Sequence, residues 1–477
     1  MIFSKLEFLY YFLPIVLILY YAVPTRLKNL RNLILLLSSL FFYFYGEQTL
    51  IWAMLLSSVI DYLCSLAIER SRKHKFKHLT KVFLLISLTT NLSLLAYFKY
   101  SDFFIENFNA LLGTSIPLLK MALPIGISLY TFQTMSYTID VYMGNTAAQK
   151  NPLTFTTYVS LFPQLVAGPI VRYSDVEAEL NHRKHSFEDF SYGVRRFIIG
   201  LSKKVLIANN FEALGQTISY SDEQTVLFSW MYAIAFMLQI YFDFSGYSDM
   251  AIGLGRIFGF KFPENFNYPY TAKSITDFWR RWHISLSSWF RDYVYIPLGG
   301  NRVSTFKWVR NIFIVWFLTG FWHGAEWNFI LWGLFFAVFL LFEKFLLTKI
   351  FSRIPSIFPR IYTLLVVLFG FVLFNANNLS EVITNTLSML GFSETPISLL
   401  GSETLYYLKS YWFLFLISFI SATPLAANTI KKICHSGNCK GTKIINILEP
   451  AFLLIMLLWS TGSLVDGSFN PFLYFRF

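Results

Sequence analysis

Charge and cysteine are what this sequence has least of. Of its 477 residues only 14% are Asp, Glu, Lys or Arg, against 55% hydrophobic and 19% aromatic, and the mean hydropathy is +0.51. A chain so poor in charge is excluded from the ordinary soluble class and reads as a polytopic membrane protein. Three cysteines, Cys64, Cys434 and Cys439, are too few for a disulfide framework. The loop Cys434-His435-Ser436-Gly437-Asn438-Cys439 offers at most three metal ligands, so a plain loop and no metal are the expectation. Familiar signature loops are missing too. Gly246-Tyr247-Ser248-Asp249-Met250 fails as a nucleophile elbow at its last position, and Gly253-Leu254-Gly255-Arg256 opens no dinucleotide unit in a chain lacking strand and helix alternation. No Walker-type loop is present. No repeat period emerges, which counts against an inverted-repeat transporter. The net charge of +12 lies in short loops between apolar runs, where it orients a protein in the bilayer; no nucleic-acid partner is expected.

What is abundant is apolar sequence. The first run, Phe8 to Val23, is followed by no small-residue cleavage site and reads as a retained span. Further runs lie near Leu33 to Tyr45, Leu50 to Ile68, Val82 to Phe98, Leu118 to Val141, Leu227 to Phe242, Ala325 to Leu347, Ile361 to Phe374, Tyr411 to Ala426 and Ile444 to Ser460. At roughly 20 residues per crossing this predicts about ten to twelve spans, several of them short. The basic loops around Arg26 to Arg31 and Glu69 to Lys77 should be cytoplasmic, which puts the N-terminus outside. Lys344, Lys349, Arg353 and Arg360, and later Lys431, Lys432, Lys440 and Lys443, mark inner loops. Between them Asn375 to Leu408 has no Lys or Arg, as an outer loop should, and the last span delivers the tail outside. The expected location is the cytoplasmic, or inner, membrane with both termini extracytoplasmic.

The middle of the chain breaks the alternation. Leu153 to Ala167 is apolar but short, holds Pro163 and Gln164, and is followed by Arg183, Lys184, Arg195, Arg196, Lys203 and Lys204. A full crossing would put that basic cluster outside, so a re-entrant segment is expected, tolerable only where protein or water surrounds it. Asp243 and Asp249 interrupt another apolar stretch. The fold class predicted is an all-α polytopic membrane domain over 1–477, hollowed from the cytoplasmic side, with N-terminal spans in about 1–142, a catalytic core in 143–350 and C-terminal spans in 351–477.

Chemistry concentrates between Ser274 and Trp327. Asp277, Arg280, Arg281 and His283 are too close together for a lipid-facing helix, since each charge in hydrocarbon costs several kcal/mol. His323 sits among Phe321, Trp322 and Trp327. A neutral imidazole can take a hydroxyl proton while the hydroxyl attacks an acyl thioester, and return it to the leaving thiolate. The same histidine also suits packing, bonded to a carbonyl in a kink beside Gly320 and Gly324. Arg280 and Arg281 suit donor phosphates, because guanidinium forks pair with phosphate oxygens, and they suit equally an inner-face anchor. The remaining loop histidines, His74, His78, His182 and His185, read as solvated.

Several motifs then carry a resemblance. Phe278-Trp279-Arg280-Arg281-Trp282-His283-Ile284-Ser285-Leu286-Ser287, Tyr295-Ile296-Pro297-Leu298-Gly299-Gly300-Asn301-Arg302 and Phe321-Trp322-His323-Gly324 resemble the membrane-bound O-acyltransferase family. Phe162-Pro163-Gln164-Leu165-Val166-Ala167-Gly168-Pro169-Ile170 and Tyr241 to Met250 match its bacterial branch of alginate and peptidoglycan O-acetylation and teichoic-acid D-alanylation proteins. The resemblance implies a helical shell around a thinned centre, a cytoplasmic funnel for the donor and an opening outside. It implies His323 as the catalytic residue and His283 as a second polar site residue. Acetyl-CoA is the implied donor, with Trp279, Arg280, Arg281, Asn301 and Arg302 toward it. The tail Phe469 to Phe477 resembles an aromatic C-terminal motif whose tyrosine, here Tyr474, carries the acyl group. The implied partners are membrane lipid, an extracytoplasmic esterase-like (SGNH) acetyltransferase and a polysaccharide acceptor. Among acceptors the length and compact outer loop lean toward peptidoglycan over alginate, with D-alanylation less favoured because the tail is fused. A lipid-linked sugar transporter would instead leave thioester turnover indifferent to His323, and a scaffold would lose stability and not activity.

Overall fold

The computed structural model describes residues 2–166, 168–392, 397–435 and 439–467. Among them every regular element is helical, apart from a lone bridge between Thr225 and Ser398. The chain forms two compact units, Met1–Phe197 with Tyr247–Glu264, and Ile198–Gly246 with Asn265–Phe477.

In chain order the helices are α1 (Leu13–Ala22), α2 (Lys28–Glu47), α3 (Ile51–Lys73), α4 (Lys77–Leu95), α5 (Ser101–Leu112), α6 (Ile127–Met143), α7 (Pro152–Ser160), α8 (Phe162–Leu165) and α9 (Tyr173–Asn181). Then come α10 (Phe187–Ser202), α11 (Asn209–Ser219), α12 (Val226–Ile257), α13 (Ile275–Trp279), α14 (Ile284–Phe290), α15 (Thr305–His323) and α16 (Trp327–Phe342). The last are α17 (Thr348–Phe351), α18 (Ile357–Asn375), α19 (Leu379–Met389), α20 (Ser402–Ser421), α21 (Leu425–His435) and α22 (Cys439–Asp466).

Among the described residues six helical stretches are long and apolar enough to cross a membrane, or seven if α20 and α21, bent by 58°, are one broken span. That is fewer than the ten to twelve read from apolar runs. Two of those runs fall in the one stretch Lys28–Lys73, interrupted where Gln48 takes a positive φ of 45°. Another, Leu118 to Val141, becomes helical only from Ile127.

The segment expected to be re-entrant is short and broken. Asn151 caps α7 by accepting from the Leu153 N–H, with Pro152 preset at the first position. Nine residues later Leu161 leaves the helical region (ψ 108°) before α8 begins. At 1.5 Å per residue α7 rises only about 13 Å, well short of a bilayer's hydrocarbon. Phe155, Tyr158, Val159, Leu161 and Phe162 are buried, so protein shelters the break.

The same unit keeps a carboxyl inside. Asp61 on α3 accepts from Ser87 Oγ at 2.5 Å and from Asn91 Nδ2 at 2.8 and 3.0 Å, both on α4, while Asn91 Oδ1 accepts from Ser57 Oγ at 2.7 Å. This network joins α3 and α4 where two apolar helices in lipid would gain little from each other.

The second unit is built on aromatic rings, with Trp279, Trp282, Trp316, Trp332, Phe336 and Phe371 all buried. Asp243 in α12 is neutralised by Lys204 at 2.6 Å, the two side chains being only 2% and 3% exposed. In the first unit Asp249 is held by Arg196 at 2.7 Å, and Arg196 also grips both oxygens of Glu264. Opening a buried pair strands a charge. Lys204→Met is expected to cost about 3–5 kcal/mol, read as a lower unfolding temperature in detergent, with Lys204→Met/Asp243→Leu recovering most of it.

Candidate active site

His323 is the last residue of α15. Gly324 then turns extended (φ −162°, ψ 157°), and Ala325 and Glu326 lead into α16, so the two helices pack as an antiparallel hairpin. Their backbones touch. A Cβ built on Gly320 would stand 2.3 Å from the Phe329 carbonyl oxygen, and one on Gly333 2.2 Å from that of Trp316. Small residues at such a crossing are what membrane helices use to approach closely. The crossing lies one turn before His323 and fixes its height.

The imidazole of His323 is 6% exposed and caged by rings: Trp332 at 4.9 Å and Phe374 at 5.5 Å meet it edge to face, and Trp322 lies at 5.1 Å. Trp332 in turn abuts Trp279 at 5.5 Å.

His283 is set differently. It occupies a left-handed backbone position (φ 45°, ψ 55°), rare outside glycine, at the start of α14. Asn265 holds it there. The Asn265 carbonyl accepts from the Ile284 N–H, and its Oδ1 accepts from Ser285 N and Ser285 Oγ and lies 3.3 Å from His283 Nδ1. An oxygen that only accepts assigns the proton to Nδ1 and the basic lone pair to Nε2. Burial pushes the ring's pKa down to about 3, so it is neutral at neutral pH. Its ring meets Phe244 at 4.7 Å and Trp322 at 6.1 Å. Trp322 thus lies between the two histidines.

Two pockets lie in this unit, and His323 lines neither. One, of about 590 Å³, is lined by Trp279, Arg280, Arg291, Asn301 and Lys344, a basic set suited to phosphate. The other, of about 240 Å³, is lined by Glu223, Tyr232, Asn375, Glu381, Thr384 and Asn385, a set of hydroxyls, amides and carboxylates suited to sugar hydroxyls. Phe374, which touches His323, directly precedes Asn375. From Ile312, the last α15 residue lining the basic pocket, to His323 the helix rises roughly 16 Å.

The residues read from sequence therefore part company. Trp279, Arg280 and Asn301 line the basic pocket. Arg281 does not; it is paired with Asp277 at 2.8 Å across one helical turn. Arg302 is exposed and also lies off the pocket lining. Tyr474 lies outside the described residues, as do residues 436–438 of the Cys434–Cys439 loop. Among the described residues no group of three His, Cys, Asp or Glu side chains is placed to hold a metal ion. Sequence reasoning missed Asn265, a lone loop amide with no pattern around it. It used Lys344 only as a topology marker, although its spacing after an apolar helix was the signal.

A family model described as MBOAT, membrane-bound O-acyltransferase family, matches residues 40–382, a span that contains both histidines and the whole lining of the basic pocket. The chain belongs to the membrane-bound O-acyltransferase family. It is an acyltransferase and a multi-pass membrane protein. Among its relatives the "Probable alginate O-acetylase AlgI" of Azotobacter vinelandii is 38% identical over the full length of both chains. The "Peptidoglycan O-acetyltransferase" of Helicobacter pylori is 35% identical over 86% of this chain and 83% of its own. The "Teichoic acid D-alanyltransferase" of Bacillus subtilis is 31% identical over 53% of this chain and 68% of its own. The lean toward peptidoglycan is not carried by these likenesses, in which the alginate O-acetylase aligns further and at higher identity.

Proposed function

We propose that this membrane-bound O-acyltransferase takes acetyl from acetyl-CoA at the cytoplasmic face and delivers it for O-acetylation of an extracytoplasmic polysaccharide, with His323 as general base. The observation that carries this reading is the position of the His323 cage, flanked through Trp279 and Trp332 by a basic pocket and through Phe374 by a hydroxyl-rich one. The basic pocket suits the donor's phosphates. Lys344 stands near the end of the helical stretch Trp327–Phe351, where the basic charge reads as cytoplasmic, and Asn375 begins the stretch without Lys or Arg that reads as external.

The step balances simply. The imidazole accepts the proton of a hydroxyl as that oxygen bonds to the thioester carbonyl carbon; the C–S bond breaks, and the CoA thiolate takes the proton back. The immediate acceptor is either the polymer hydroxyl or the phenol of Tyr474, which then hands the acetyl to a separate extracytoplasmic esterase-like transferase. His283, neutral and held by Asn265, packs its ring 6.1 Å from that of Trp322. Alginate-like polymers are the favoured acceptors because the Azotobacter relative, which aligns end to end, is named a probable alginate O-acetylase. Peptidoglycan is the second reading, supported by the Helicobacter relative.

Purified protein with labelled acetyl-CoA tests this. Thiol release with label appearing on alginate supports the reading, label on peptidoglycan alone selects the second, and no thiol release with any acceptor rejects both. Arg280→Gln and Lys344→Gln are each expected to raise the KM for acetyl-CoA roughly tenfold with kcat little changed, the value of one charge-assisted contact. Tyr474→Phe is expected to abolish label on the protein and on the polymer; polymer acetylation that persists removes the relay while leaving His323 in place.

A further inference from the structure

The first unit encloses two guanidinium groups without a carboxylate. Arg31, on α2, is 5% exposed and donates through Nε and Nη2 to the Val23 carbonyl at 2.9 and 2.6 Å. Arg183 donates through Nη2 to Asn32 Oδ1, and its Nη1 is buried with no acceptor. Both lie over the ring of Tyr20, at 5.0 and 5.7 Å, and Arg183 also lies 4.9 Å over Phe260.

Among the described residues neither arginine is in an ion pair. Of the two carboxylates that follow in sequence, Glu188 is exposed and Asp189 is taken by Arg256 at 2.9 Å and by Ser186 Oγ. His185, which lies 3.3 Å from Tyr20 Oη, adds no third charge: burial first, then Arg31 and Arg183, push it down to about 4. Its ring is wedged against the backbone of Gly259, whose φ of +83° leaves no room for a Cβ, which would stand 2.8 Å from the imidazole. The frame around the arginines is therefore rigid, and it holds two positive charges with one donor unused. Uncompensated buried charge is costly, by several kcal/mol per ion.

We propose that Arg31 and Arg183 form a site for the phosphate of an anionic phospholipid of the inner leaflet. A guanidinium pair offers forked donors that match phosphate oxygens. Both arginines lie in segments whose basic charge reads as cytoplasmic, and the inner-leaflet assignment rests on that orientation. A lipid fits better than a soluble phosphate because the site lies where α1 ends and α2 begins. Around those ends Ile18, Leu19, Leu27 and Leu30 expose apolar side chains, where acyl chains can lie beside a bound headgroup.

The test is lipid binding, which does not depend on acyl transfer, so its failure is separable from failure of the proposed reaction. Protein in phosphatidylcholine nanodiscs is titrated with phosphatidylglycerol or cardiolipin and followed by native mass spectrometry. Wild type is expected to retain the anionic lipid, Arg183→Gln to bind it at least tenfold more weakly, and Arg183→Lys to fall between. Lys75→Gln, which removes an exposed loop charge, is expected to bind as wild type. Unfolding in pure phosphatidylcholine at the wild-type temperature establishes that Arg183→Gln is folded; should it unfold lower, the Arg183→Lys titration decides. Equal retention by wild type and the Arg183 variants overturns the proposal. So does displacement of the lipid by millimolar inorganic phosphate, which would make the ligand a soluble anion.

Discussion

His323→Ala is expected to lower thiol release from acetyl-CoA by about 10²–10⁴-fold, the usual contribution of a positioned general base, and to abolish polymer acetylation. The expectation rests on where the ring is. It is buried among Trp322, Trp332 and Phe374, and Trp332 lies between it and Trp279, a residue of the basic pocket's lining. Because the loss is confined to the proton transfer, the KM for acetyl-CoA should change little while kcat falls. Truncation leaves a gap the size of an imidazole, so added imidazole or 4-methylimidazole should restore part of the rate. A purely structural histidine would give the opposite pattern, with lower unfolding temperature, ordinary turnover in the surviving protein and no rescue. A transporter would release thiol at the same rate in both proteins. Full turnover by folded His323→Ala would remove the imidazole from the reaction.

Gly333→Leu should have an effect as large on assembly as His323→Ala has on chemistry. Its Cβ would be placed 2.2 Å from the Trp316 carbonyl oxygen, a backbone atom that cannot rotate away, and 3.1 Å from Gly320. The hairpin of α15 and α16 must part along the crossing that sets His323. Overpacking of this kind costs about 1–3 kcal/mol when side chains can yield and more when backbone must move. The expected result is little monodisperse protein after extraction, with Gly333→Ala intermediate. Gly462 is the control. It lies in α22 with nothing within 4 Å of its missing Cβ, so Gly462→Ala should be neutral or slightly stabilising. Normal yield and activity of Gly333→Leu would show the crossing to be looser than drawn.

The sequence made the class of protein and the neighbourhood of the site legible, for particular reasons. Sparse charge and long apolar runs are signals summed over many residues, so the helical membrane fold could be read without knowing any contact. His323 stood out because an ionisable group among tryptophans at membrane depth is costly. The crossings were harder to count. Gln48 breaks the Lys28–Lys73 stretch through a backbone angle that composition does not reveal, and the Leu118 to Ser128 part of an apolar run is largely loop. The same limit separated the arginines. Arg280 and Arg281 are adjacent in sequence, yet a helical turn points one into the basic pocket and the other to Asp277. Asn265 was illegible because its role is to accept hydrogen bonds from residues about twenty positions later, a relation that exists only once the chain has closed on itself.

The tryptophans between the basic pocket and His323 also set a reach. A donor seated by Arg280 and Lys344 must carry its carbonyl past the rings of Trp279 and Trp332, which lie 5.5 Å apart, the second of them 4.9 Å from the imidazole. Coenzyme A has a slender arm between its phosphates and its sulfur and can make that reach. Acetyl phosphate has none: seated by the same charges, it would leave its acyl carbon stranded below the tryptophans, however reactive it is in solution.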